Sequence, residues 1–137
     1  MGSWDTTSFG NDAACDWLAE LLDSGSMAMI DDALDSVLSS GDEPIESPAG
    51  EEAVAACEVL AWIQGRPGPS SDETEGLEDW VDEQEPDEDD GRLRRARRAI
   101  DRIFNHPCEL REAWEESADF DEWRKSLTDL KGRLADS

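Results

Sequence analysis

Apolar residues recur at helical spacing along most of the chain, in blocks separated by Gly, Pro and Ser. Over residues 12–24 they fall at Ala14, Trp17, Leu18, Leu21 and Leu22, one face of a 3.6-residue period. Asn11 or Asp12 supplies an N-cap oxygen for an orphan backbone N–H, and Gly25 stops the helix. A second block over 27–39 turns Ile30, Leu34, Val37 and Leu38 inward, ending at Ser40-Gly41. After a loop at 42–46, Ser47-Pro48 opens a third helix, with Ser as cap and Pro at the first helical position. It runs to about residue 64 on a small-residue face of Ala53, Ala56, Cys57 and Leu60, with Ile63 near its end, which predicts close packing on a neighbouring helix.

The pattern weakens in the middle of the chain. Gly65-Arg66-Pro67-Gly68-Pro69 is a strong stop, and residues 70–75 read as loop. A short helix around Leu77, Trp80 and Val81 follows, then a solvated, mobile acidic run at 85–90. Periodicity returns over 92–105 at Leu93, Ala96, Ile100, Ile103 and Phe104, limited by Pro107. A short helix carries Leu110 and Trp114, and the last helix, 120–135, places Phe120, Trp123, Leu127, Leu130 and Leu134 three or four residues apart. No sustained alternation predicts a strand, and no internal repeat is present. The expected fold is all-α: one domain over 1–137, a compact bundle of six or seven short antiparallel or orthogonal helices. Residues 1–11 form an extended lead-in anchored by Trp4 and Phe9, and 65–91 an acidic loop with one short helix.

Charge changes the functional picture more than the fold. The 137 residues hold 36 acids and 12 bases, a net charge of -24. Residues 1–91 carry 26 acids and a single base, Arg66; residues 92–137 carry 11 bases and 10 acids. An anionic surface opposes direct binding to nucleic acid or to anionic membrane. No apolar run approaches the ~20 residues of a spanning helix. No secretory pattern opens the chain, and three cysteines at unpatterned spacings read as reduced thiols, so a cytoplasmic location is expected. Six Trp, three Phe and 37% hydrophobic residues, periodically placed, favour a packed domain over disorder.

The opening residues Gly2, Trp4, Thr6, Phe9, Asn11, Asp12 and Ala14 carry a further signal, repeated at Trp62 with Gly65-Arg66-Pro67 and at Glu109-Leu110, Trp114, Glu116-Ser117 and Trp123. In these positions the chain resembles a bacterial family catalogued as domain of unknown function 4259. It departs from the family at Asp5, Thr7 and Ser8, where Gly, Gly and Pro are usual. The resemblance implies a small bacterial cytoplasmic protein and brings no activity or catalytic residue with it.

Candidate chemistry is sparse. Asn11-Asp12 reads as a helix cap, worth about 1 kcal/mol. Cys15, Cys57, His106 and Cys108 are the residue types of a Cys₃His zinc site, but no Cys-x-x-Cys pair is present, and Cys15 and Cys57 lie on or beside apolar helix faces, where Cys acts as a small hydrophobe. His106 with Cys108 lacks a third, orienting group for nucleophilic catalysis. Residues 85–96 fail the calcium-loop template, with Asp90 where Gly is required and Ala96 where Glu is required. Neither a phosphate loop nor a nucleophile elbow occurs. No cofactor is therefore expected. Arg92, Arg94, Arg95, Arg97, Arg98 and Arg102 crowd one helix; the plain reading is that the acidic run at 85–90 and other acids neutralise them within the molecule, with a groove for an anionic partner as the alternative.

The expectation that fits best is a small acidic protein-binding module, not an enzyme, that occupies a basic surface on a partner protein. It would resemble an immunity or inhibitor protein, with DNA mimicry as a subclass. The residues expected to meet the partner are Asp72, Glu73, Glu75, Glu78, Asp79, Trp80, Asp82 and Glu83, with Trp80 as an exposed anchor among acids. The alternatives are a carboxylate- and metal-dependent hydrolase, or an acidic domain adapted to solubility or high salt with no charge-based partner.

Overall fold

A computed structural model describes residues 12–24, 27–39, 45–63, 76–83, 90–103, 109–116 and 120–134. Seven helices and no extended strand occupy them: α1 Asp12–Ser24, α2 Met27–Leu38, α3 Ser47–Ile63, α4 Leu77–Asp82, α5 Asp90–Ile103, α6 Glu109–Glu115 and α7 Phe120–Leu134. The expected all-α bundle is the observed one. The expected lead-in at 1–11, the residues of the 65–75 stop and loop, the acidic run at 85–89, and His106 with Cys108 all lie outside the described residues.

The helices follow from their amphipathic faces. On α1, Ala14, Trp17, Leu18 and Leu21 are buried; on α2, Ile30, Ala33, Leu34 and Val37; on α7, Trp123, Leu127, Leu130 and Leu134. Helix α5 begins at Asp90, two residues before the expected 92, and the expected end at 105 lies outside the described residues.

The larger difference is α3. The sequence predicts one small-residue face, yet every residue from 53 to 63 is buried. Val54, Ala55, Val59, Ala61 and Trp62 are enclosed along with the expected Ala53, Ala56, Cys57 and Leu60. The reason is position: α3 packs against all six of the other helices. A helix that is apolar on every side has no solvent face to present and belongs at the centre. Small side chains let neighbours approach from several directions at once. Gly50 N–H donates to the Glu46 carbonyl at 3.0 Å and closes the first turn. The Cys57 thiol donates to the Ala96 carbonyl at 3.6 Å, where α3 meets α5.

Glu58 is the exception inside that apolar run, and only 4% of its surface is exposed. Arg133 of α7 meets it with both terminal nitrogens, Nη1 to Oε2 at 2.5 Å and Nη2 to Oε1 at 2.9 Å. The same guanidinium donates through Nε to Asp129 at 2.9 Å. This fork-to-fork geometry is what makes a largely desolvated carboxylate tolerable. Beside it, Arg97 of α5 donates to the carbonyl of Leu134 at 2.7 Å, satisfying a backbone acceptor at the end of α7. Two arginines thus tie α7 into the bundle.

Removing the arginine takes the bidentate partner from a buried carboxylate. Arg133→Met is expected to lower the unfolding free energy by about 3 kcal/mol. The paired Glu58→Met/Arg133→Met variant should recover most of that loss. Urea unfolding followed by tryptophan fluorescence measures both; a single-variant cost near the ~0.5 kcal/mol of a surface pair would contradict the buried bridge.

Candidate acidic interface

On α1 the acids Asp16, Glu20 and Asp23 are spaced by four and three residues and are all exposed, opposite the buried Trp17, Leu18 and Leu21. They form one longitudinal stripe. Glu52 of α3 lies beside it, half-buried. Its carboxyl is held above the usual range, first by burial and then by the charge of Glu20.

A second acidic edge comes from α4. Gly76 precedes it with φ +88°, a left-handed conformation that L side chains rarely adopt, so glycine is required at this entry. A methyl group built at Gly76 would lie 3.8 Å from Leu22 Cδ1, which sets the start of α4 against the last turns of α1. The exposed acids of α4 and the residue after it are Glu78, Asp79, Asp82 and Glu83. Together with the stripe on α1 they make seven exposed acids.

Of the residues expected to meet a partner, these four stand at the surface. Trp80 does not, which corrects the expectation of an exposed anchor. Trp80 is 8% exposed and shares the inner side of α4 with Leu77, packed on α3. Its acidic sequence neighbours misled because adjacent helical residues project about 100° apart. Asp72, Glu73 and Glu75 lie outside the described residues.

The described residues of α1 to α4 include no Lys or Arg. The bases sit on α5, α6 and α7, and most have partners. Arg95 bridges to Asp31 at 3.4 Å and to Asp35, both on α2. Lys131 meets Asp101 at 2.5 Å. Arg111 pairs with Glu115. Arg111 and Arg124 also lie 5.6 and 5.7 Å from the ring centre of Phe120. Trp114 and Trp123 stack beside that ring, their centres 6.2 Å apart. The expected internal neutralisation of the arginine helix is thus real for Arg95, through α2. Arg94 and Arg98, both exposed, have no ion pair among the described residues.

The metal-ligand types lead elsewhere. The Cys57 thiol is fully buried, and burial followed by the Glu58 charge pushes its pKa up, so it keeps its proton. Cys15 is half-buried. Among the described residues no group of three or more His, Cys, Asp and Glu is placed to hold a metal ion. A shallow depression on α7 is lined by Asp121, Arg124, Lys125, Thr128 and Asp129. Sequence reasoning passed over Glu58 and Arg133. The available signal was one acid standing inside an otherwise apolar run from 53 to 63.

A family model described as "Domain of unknown function (DUF4259)" matches residues 2–126. No curated protein and no solved structure matches the chain.

The Glu20–Glu52 contact has a measurable consequence. A carboxyl whose folded pKa is raised costs stability when ionised, and the cost disappears as pH falls through that pKa toward the unfolded value. Glu52→Gln should therefore raise Tm at pH 7, by about 1 °C for a half-exposed group. The gain should shrink on acidification through the carboxylate range and in high salt. Thermal melts at neutral and acidic pH give the comparison; an equal gap at both would exclude this cause.

Proposed function

The chain belongs to the DUF4259 family, and we propose that this member is a non-catalytic bacterial cytoplasmic protein that binds a basic surface on a partner protein. The reading is immunity- or inhibitor-like. One observation carries it: α1 and α4 expose the acids Asp16, Glu20, Asp23, Glu78, Asp79, Asp82 and Glu83, and the described residues of α1 to α4 include no base. Such a face produces a one-signed field that speeds encounter with a cationic partner and disfavours anionic ones. Among the described residues no helix is long and apolar enough to cross a membrane.

Charge density favours a protein partner that binds acids over one deceived by a DNA mimic. The stripe Asp16, Glu20, Asp23 extends about 10 Å along the helix axis, or one charge per ~4 to 5 Å. Duplex DNA carries one per ~1.7 Å. A single helix stripe is thus two- to threefold too dilute, and imitation of the duplex needs further ridges beside it. The buried Trp80 shifts the weight from an aromatic anchor to the carboxylates. Specificity then rests on geometry and charge, and the association rate becomes the sensitive quantity.

The test compares the protein with a variant neutralised on α4, Glu78→Gln/Asp79→Asn/Asp82→Asn/Glu83→Gln, both immobilised and exposed to native lysate. Wild type should retain one dominant basic protein that the variant retains at least tenfold more weakly. The association rate of that protein should fall steeply from about 0.05 to 0.5 M salt as screening shortens. Equal retention by both proteins, or a rate indifferent to salt, would refute the reading.

A further inference from the structure

We propose that the adjoining outer faces of α2 and α5 form the contact of a two-fold symmetric dimer of this chain. The proposal goes beyond the partner reading above and does not rest on it.

The observation is an imbalance. Acids outnumber bases threefold in this molecule. Even so, Arg94 and Arg98 stand exposed on α5 with no carboxylate partner among the described residues. They are four residues apart, so each raises the cost of the other's charge. Their place on the surface is defined from both sides. Arg95 is bound to Asp31 and Asp35 of α2, and Asp101 to Lys131 of α7. Stepping round α5 at 100° per residue, Arg98 lies roughly 60° and Arg94 roughly 100° from Arg95, between the α2 and α7 flanks. The pair therefore occupies the outward face of α5, between the α2 and α7 flanks.

The neighbouring face of α2 carries the opposite charge. Asp32 and Asp35 are exposed there. The hydroxyls of Ser36 and Ser39 donate back to the Asp32 and Asp35 carbonyls at 3.0 and 2.6 Å, so the serines are satisfied within the helix. What α2 presents outward is carboxylate, and what α5 presents is guanidinium, on two packed helices whose axes are about 8–10 Å apart.

A patch with both signs side by side is complementary to itself under a two-fold rotation. The acid strip of one copy meets the base strip of the other, twice. Local balance makes a second copy the fitting occupant. Asp31, Asp32 and Asp35 stand against Arg94, Arg95 and Arg98 here, within a molecule of net charge -24. A copy approaching α1 or α4 instead would set acids against acids. Closure is also favoured: a two-fold contact consumes both strips and leaves none to propagate a chain.

Two opposed electrostatic effects give a distinctive salt response. At low salt the whole-molecule repulsion reaches across the pair; near 0.15 M the screening length is about 8 Å, so the repulsion fades while touching charges still attract. Near 1 M it is about 3 Å, and the contacts themselves weaken.

Sedimentation equilibrium on the purified full chain, from micromolar to millimolar protein, tests this. Wild type should dimerise, most strongly at intermediate salt. Arg94→Glu/Arg98→Glu and Asp32→Arg should each weaken dimerisation at least tenfold, since every change occurs twice at the interface. Mixed together, those two variants should form a heterodimer: one contact keeps Asp32 against Arg94 and Arg98, and in the other the introduced arginine meets the introduced glutamates. That cross-rescue separates charge pairing from a folding defect. A wild type that is monomeric throughout, association that only strengthens as salt rises, or a mixture that stays monomeric would each overturn the proposal.

Discussion

The bundle depends on enclosing one helix completely. Residues 53–63 of α3 have no solvent face, so this helix cannot exist in water without the helices around it, and they have little reason to assemble without it. Each fully buried aliphatic side chain contributes roughly 1.5–3 kcal/mol. Within that apolar run stands Glu58, and its charge admits few solutions. The bidentate Arg133 is the one found, and it recruits α7 from the far end of the chain. Packing thus selects the central helix, and one ion pair selects which helix closes over it and in what register.

Charge is distributed by a different rule. Helices α1 to α4 are acid-bearing, and the bases arrive with α5 to α7, so the two halves of the chain attract as they pack. The contact of Arg95 with Asp31 and Asp35 lies where they meet, at the border of α2 and α5. Away from that border Glu58 meets Arg133, while Glu52 faces Glu20. The raised carboxyl of Glu52 beside Glu20 shows the cost locally. The face that would serve to hold a basic partner is thus a mildly destabilised one, and any cation brought to it relieves repulsion already present.

Much of the fold was legible because most helices are amphipathic. Leu127, Leu130 and Leu134 declare the inner face of α7 whatever surrounds it. Legibility failed where a residue's fate is decided by distant parts of the chain. Trp80 sits among acids in sequence yet points away from them in a helix. Arg95 and Arg133 look alike in the sequence, but one meets aspartates 60 or more positions away and the other a glutamate 75 positions away. The acids of α4 were identifiable as surface; the turn at Gly76 that brings the start of α4 to Leu22 of α1 was not.

The thiol of Cys57 illustrates what full enclosure does to reactivity. It has no exposed surface, keeps its proton and is held by the Ala96 carbonyl. Alkylating reagents need a thiolate within reach, and here neither condition holds while α3 and α5 remain in contact. Modification at this sulfur must wait for the bundle to part. The side chain is thereby a built-in clock, recording how often the centre of the molecule breathes open.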